Sequence, residues 1–94
     1  KGEGVPKDAV QAVSWYRKAA EQGDASAQSN LGAMYASGEG VPKGLVTAYM
    51  WRNLAAAQGD ENGKEARDAL ETLMTPAQIA EAQKLSREWK PKKP

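Results

Sequence analysis

The sequence predicts an all-α fold, a solenoid of antiparallel helix hairpins stacked side by side and closed by a C-terminal capping helix. Three observations lead there. The run Gly2-Glu3-Gly4-Val5-Pro6-Lys7 returns unchanged as Gly38-Glu39-Gly40-Val41-Pro42-Lys43, an offset of 36 residues. Aligned at that offset, 2–24 and 38–60 agree at 14 of 23 positions, and periods of about 20–50 residues mark solenoids, propellers or arrays. Ala12, Trp15 and Ala19 recur as Ala48, Trp51 and Ala55, in steps of three and four that trace one face of a helix.

The first helix is expected over 8–22. Its stripe of Ala12, Trp15 and Ala19 reads as core, because aromatic rings bury the most area per residue and a thin solenoid needs that area. Two positions break the division between a shared face and a variable one. Val10/Val46 is shared off the stripe, and Tyr16 gives way to Arg52 beside it. Gly23 closes this helix, and Asp24 follows at once as the N-cap of a second helix over 24–37. So short a junction folds the two helices into an antiparallel hairpin.

Gly32 in mid-helix costs about 1 kcal/mol relative to Ala, so it reads as a point of close helix approach. The segment Gly38–Lys43 is a breaker between hairpins, since Pro42 cannot continue a helix. Glu3 and Glu39, each between glycines, read as solvated loop positions. The pattern then repeats with a helix over 44–58, closed by Gly59 and followed by the cap Asp60. A fourth helix is expected over 61–74 with Ala66, Ala69, Leu70 and Leu73 on its apolar stripe. The last, over 76–89, opens at Thr75-Pro76-Ala77-Gln78, a capping-box arrangement with Pro at the first helical position. Its apolar residues Ile79, Ala82, Leu85 and Trp89 lie opposite Glu81, Lys84 and Glu88.

These elements form one domain over 1–89. It divides into a partial repeat at 1–23, a full repeat at 24–59, and a degenerate last repeat with its capping helix at 60–89. The partial repeat lacks a leading helix, as in a fragment of a longer array. Lys90-Pro91-Lys92-Lys93-Pro94 reads as a basic disordered tail.

Composition narrows the chemistry. The chain has 94 residues, no His, no Cys and a formal net charge of +1. Without His or Cys there is no Ser-His or Cys-His pair and no usual zinc ligand set. Gly-Glu-Gly-Val lacks the Lys-Ser/Thr of a phosphate-binding loop. No carboxylate pair has a partner that suggests acid–base work, so the reading is of a protein that is no enzyme and needs no cofactor or metal. The near-neutral balance gives no reason to expect nucleic acid as partner. No stretch approaches the roughly 20 apolar residues needed to span a bilayer, and Lys1–Gly4 has no apolar run behind it that would make a signal peptide. A chain without Cys suits the cytoplasm and the periplasm or extracellular space alike, so the compartment stays open.

Helix 24–37 carries Ala27-x-x-x-Leu31-Gly32-x-Met34-Tyr35, followed by Gly38-x-Gly40-Val41-Pro42, then Ala48-x-x-Trp51 and Ala55-Ala56-x-x-Gly59. With a period of 36, this resembles the Sel-one-like repeat, a relative of the tetratricopeptide repeat. The resemblance covers 2–60 well and 61–89 as a degenerate end. It implies a right-handed superhelix with a concave groove and a role as an adaptor in protein–protein interaction, the fragment being monomeric. One subgroup of the family, with a Cys pair in each repeat, has been linked to β-lactam binding. The lack of Cys here sets this chain apart from it.

If the first helix of each hairpin lines the inner wall, as the resemblance implies, the groove positions of helix 24–37 are Ser26, Ser29, Ala33 and Ser37. Those of helix 61–74 are Asn62, Glu65, Asp68 and Thr72. The first set is small and neutral, lets a partner approach closely and offers no charged clamp for a carboxylate. The second is more acidic. The expected occupant is a protein or peptide. Rival readings are a spacer for another domain and, less well supported, a binder of cell-wall fragments or β-lactams.

Overall fold

The computed structural model describes residues 7–92, which form five α-helices: α1 Lys7–Glu21, α2 Ala25–Ser37, α3 Leu45–Ala57, α4 Glu61–Glu71 and α5 Pro76–Glu88. The loop copy at 2–6, with the Glu3 reading, lies outside the described residues, as do Lys93 and Pro94.

Helix boundaries follow local chemistry. Gly23 and Gly59 take positive φ, at 101° and 94°, a conformation that costs glycine little because it has no Cβ. Asp24 and Asp60 come next and cap the following helices. Asp24 Oδ1 accepts from the Ala27 N–H at 2.9 Å, and Asp60 Oδ1 from the Gly63 N–H at 3.0 Å. Each bond satisfies one of the orphan donors at a helix start. Thr75 and Gln78 form the expected capping box, with reciprocal bonds of 2.9 and 3.1 Å.

Helix α2 packs between α1 and α3, and α3 in turn packs on α4 and α5. Helix α5 runs alongside α3 in the same direction. Gln83 reaches the Tyr49 hydroxyl, Ser86 reaches the Met50 carbonyl, and Trp89 reaches Trp51. Ser86 and Met50 are 36 residues apart, the repeat offset, so α5 stands one repeat on from α3.

Two apolar clusters hold the stack. Val13, Ala20, Ala27, Leu31 and Trp51 join α1, α2 and α3. Ala48, Tyr49, Leu70, Met74 and Ala82 join α3, α4 and α5. Between the hairpin ends, Gln28 is fully buried yet has partners for its amide. It donates to the Ala20 carbonyl at 3.1 Å and accepts from Gln58 Nε2 at 3.0 Å, while Gln58 also donates to the Gly23 carbonyl at 2.9 Å. Buried polar groups are tolerated where they are bonded in this way.

Two expectations are corrected. Trp15 is 69% exposed, whereas Trp51 is 4% exposed. Trp51 belongs to a buried cluster with Ala27 and Leu31 of α2 and Val13 and Ala20 of α1, against which Trp89 packs. Among the described residues, Trp15 has the Lys18 ammonium 5.5 Å from its ring centroid.

The second correction concerns the fourth helix, which ends at Glu71 rather than at 74. The backbone then tightens, with the N–H groups of Thr72, Leu73 and Met74 donating three residues back. That shift turns Leu73 outward, at 67% exposed, and buries Met74 in its place. Ala69, also expected on the apolar stripe, is exposed.

Beyond α5, the backbone N–H of Lys92 donates to the Glu21 carbonyl at 2.7 Å, and its largely exposed Nζ lies 3.3 Å from the Glu21 carboxylate. The end of α1 offers unpaired carbonyls and a partial negative charge, which suits a lysine.

Candidate binding groove

Helices α2 and α4, the leading helices of their hairpins, both pack on α3. What brings them close is the absence of side chains at the contacts. A Cβ on Gly32 would lie 2.7 Å from Arg52 Cγ and 3.1 Å from the Ala48 carbonyl oxygen; one on Gly63 would lie 3.0 Å from Ala55 Cβ and 3.2 Å from the Arg52 carbonyl oxygen. Gly32 thus marks the close approach expected from its place in mid-helix, and Gly63, which stands where the previous repeat has Ala27, marks a second on the other side of α3.

On α2, Ser26, Ala33 and Ser37 are exposed and Ser29 is half-buried. At 3.6 residues per turn these four share one side of the helix, adjoining the Gly32 contact at Ser29 and Ala33. Ser37 turns its hydroxyl back onto the Met34 carbonyl at 3.3 Å, so it presents less polarity than its residue type suggests.

On α4, Asn62, Glu65, Asp68 and Thr72 are all exposed. Their directions differ. Asn62 and Ala66 lie one turn apart on the same side, whereas Asp68 turns away with Arg67. Arg67 Nη2 lies 2.9 Å from Asp68 Oδ1, and its Nη1 donates to Asn53 Oδ1 on α3 at 2.9 Å. Thr72 donates to the Ala69 carbonyl at 2.8 Å. Ser29 and Ala33 thus stand beside the Gly32 contact on α2, and Asn62 lies one turn before Ala66, whose carbonyl Arg52 of α3 reaches.

Arg52 is the residue that sequence reasoning did not place here. It rises from α3 with its stem against Gly32, and its Nη1 donates to the Ala66 carbonyl of α4 at 3.3 Å. Nε is buried and has no hydrogen-bond partner. Burial lowers the guanidinium from its ordinary pKa, as desolvation does for any cation. The signal was present: Tyr16 to Arg52 is the substitution beside an otherwise shared stripe, and only the fold shows that this position lies between α2 and α4. Among the described residues no group of His, Cys, Asp or Glu is gathered as a metal site would need. Among the described residues no helix is long and apolar enough to cross a membrane.

The comparisons with known proteins agree with this architecture. The family model described as Sel1 repeat matches residues 1–24 and 25–60. A protective antigen present in uropathogenic Escherichia coli strains, whose crystal structure displays an SLR fold, aligns at 40% identity with a TM-score of 0.85. The alignment covers 94% of this chain and 19% of that one, so the chain spans under a fifth of that protein's length. No curated protein matches the sequence.

Proposed function

Because the chain belongs to the Sel1 repeat family, we propose that it is a non-catalytic interaction module whose partner, a protein or peptide, lies along the seam between α2 and α4. One observation carries this reading. Two leading helices sit on the same helix α3, held close by Gly32 and Gly63, and both keep a polar or small-residue face free of intramolecular packing. Open surfaces of this kind suit an extended or helical segment, whose backbone can approach Ser29 and Ala33 without a large side chain intervening. Asn62 and Glu65 supply polar contacts on the opposite wall.

The test is site-specific photo-crosslinking from the surface of the protein. A photoreactive side chain at Ala33 or Glu65 is expected to capture a partner. The same group at Glu81, on the exposed side of α5, is expected to capture it poorly. Ala33→Trp and Glu65→Arg should then weaken that partner by about tenfold, the cost of one blocked or repelled central contact. Equal capture from Glu81, or full binding in both variants, would remove the groove as the site.

A further inference from the structure

Arg52 is a cation with its charge unanswered. Among the described residues it makes no ion pair, and its one hydrogen bond is a 3.3 Å contact to a main-chain carbonyl. The other arginines with described contacts are better provided for. Arg67 has Asn53 and Asp68, and Arg17 donates to the Tyr35 hydroxyl at 2.8 Å with its guanidinium 5.7 Å from the same ring centroid. A half-buried guanidinium without an anion is an unfavourable arrangement, because desolvation is not offset by a charge partner. The equivalent position one repeat earlier is Tyr16, so the repeat itself does not demand a cation there.

Its setting points outward. The stem lies on Gly32 of α2 and Nη1 is tethered to the Ala66 carbonyl of α4, so the planar head is held between the two helices. A fixed guanidinium edge favours a planar oxygen pair, bound through two parallel N–H donors. Of the acids on α4, Asp68 is occupied by Arg67, and Glu65 makes no ion pair among the described residues. Their negative charge disfavours a doubly charged phosphate on a single guanidinium more than it disfavours a singly charged group.

We propose that Arg52 is the anchor of the groove and takes a single carboxylate from a polypeptide partner, either an Asp or Glu side chain or a chain end. This rests on the reading of the α2–α4 seam as the partner site. It reverses the expectation that the groove lacks a clamp for a carboxylate.

The experiment uses the full chain labelled with nitrogen-15 and follows the Arg52 Nε–Hε signal with the amides of Ser29, Ala33, Asn62 and Ala66. The probes are four N-acetylated peptides: acetyl-Ala-Ala-Ala-Glu-amide, its Gln counterpart, and acetyl-tetra-alanine as free acid and as amide. The expected result is a saturable shift at Arg52 with a carboxylate-bearing peptide, and affinity lower by about tenfold or more for its uncharged counterpart, the loss of one charge-assisted bond. Which of the two acids binds identifies the source of the carboxylate. Arg52→Met, which keeps much of the stem, should abolish the discrimination, and Arg52→Lys should restore only part of it. Equal shifts from acid and amide peptides, with Ser29 and Asn62 still responding, would overturn the role of Arg52 and leave the groove standing. No response at any of the five positions would overturn both. Should Arg52→Met fail to fold, the Glu-against-Gln comparison on the unaltered protein still decides.

Discussion

Trp89 meets Trp51 edge to face, with ring centroids 5.9 Å apart and planes inclined by 73°. This contact adds the end of α5 to the cluster that Trp51 forms with residues of α1 and α2. The chain then continues to Lys92, which bonds to the end of α1. A residue beyond the last helix thus joins the first described helix to the cap.

The contact makes the two repeat-related tryptophans unequal in energy. Trp51→Ala should cost about 3–5 kcal/mol, as large-to-small core changes do. Trp15→Ala should cost under about 1 kcal/mol, because its ring is already largely in water. Urea denaturation of the two variants checks this. A cycle with Trp89→Ala should return a coupling with Trp51 of about 0.5–1.5 kcal/mol, and additivity would show that the rings pack independently.

Gln28 ties the hairpin ends together from a fully buried position. Gln28→Leu leaves the Ala20 carbonyl without its side-chain donor and Gln58 Nε2 without its amide acceptor. The expected loss is about 1–3 kcal/mol, the range for stranding buried polar groups. Gln58→Ala should cost less, since Gln58 is exposed and water can replace it. Equal losses in thermal melts would reverse that ordering.

Gly32→Ala sets intrinsic helix preference against packing. Ala is favoured over Gly by about 1 kcal/mol in a helix interior. Its methyl group would meet Arg52 Cγ at 2.7 Å and the Ala48 carbonyl oxygen at 3.1 Å, and overpacking of this kind costs about 1–3 kcal/mol. A net destabilisation is expected. In an Arg52→Ala background it should shrink without vanishing, because the backbone oxygen remains. A stabilised Gly32→Ala variant would mean that α2 can move away from α3.

Tyr49 gives a pH dependence at the alkaline end. Its hydroxyl donates to Glu71 Oε2 at 2.7 Å, and burial first, with that bond second, raises its pKa. In the folded chain Tyr49 therefore keeps its proton where the unfolded chain, with a pKa of about 10, gives it up. Its contribution is fully present below about pH 10 and is lost as pH rises through the folded value. Ultraviolet titration should show one of the three tyrosines ionising late. Tyr49→Phe should flatten the alkaline fall in stability, and an unchanged fall would place its origin elsewhere.

The features legible from sequence are those set within a few residues. Asp24, Asp60, Thr75 and Gln78 act as caps because their partners lie at most three residues away. Gly23 and Gly59 end helices for a reason internal to their own backbone. The fourth helix was harder: the apolar spacing through Leu73 reads as continuous, yet the chain tightens after Glu71 and buries Met74. In the groove, the side of α2 carrying Ser29 and Ala33 was accessible to periodicity. The direction of Asp68 was not, because Arg67 draws it aside toward Asn53.

By itself the sequence determined the period, the helices and their caps, and the family, since an offset of 36 and local hydrogen bonding need no knowledge of distant neighbours. Tertiary structure alone decided which of two equivalent tryptophans is enclosed, where Lys92 is held, and that Arg52 stands between α2 and α4 without an anion. Burial and charge pairing depend on what lies across the stack, so the same residue at the same repeat position acquires a different environment when different helices pack against it.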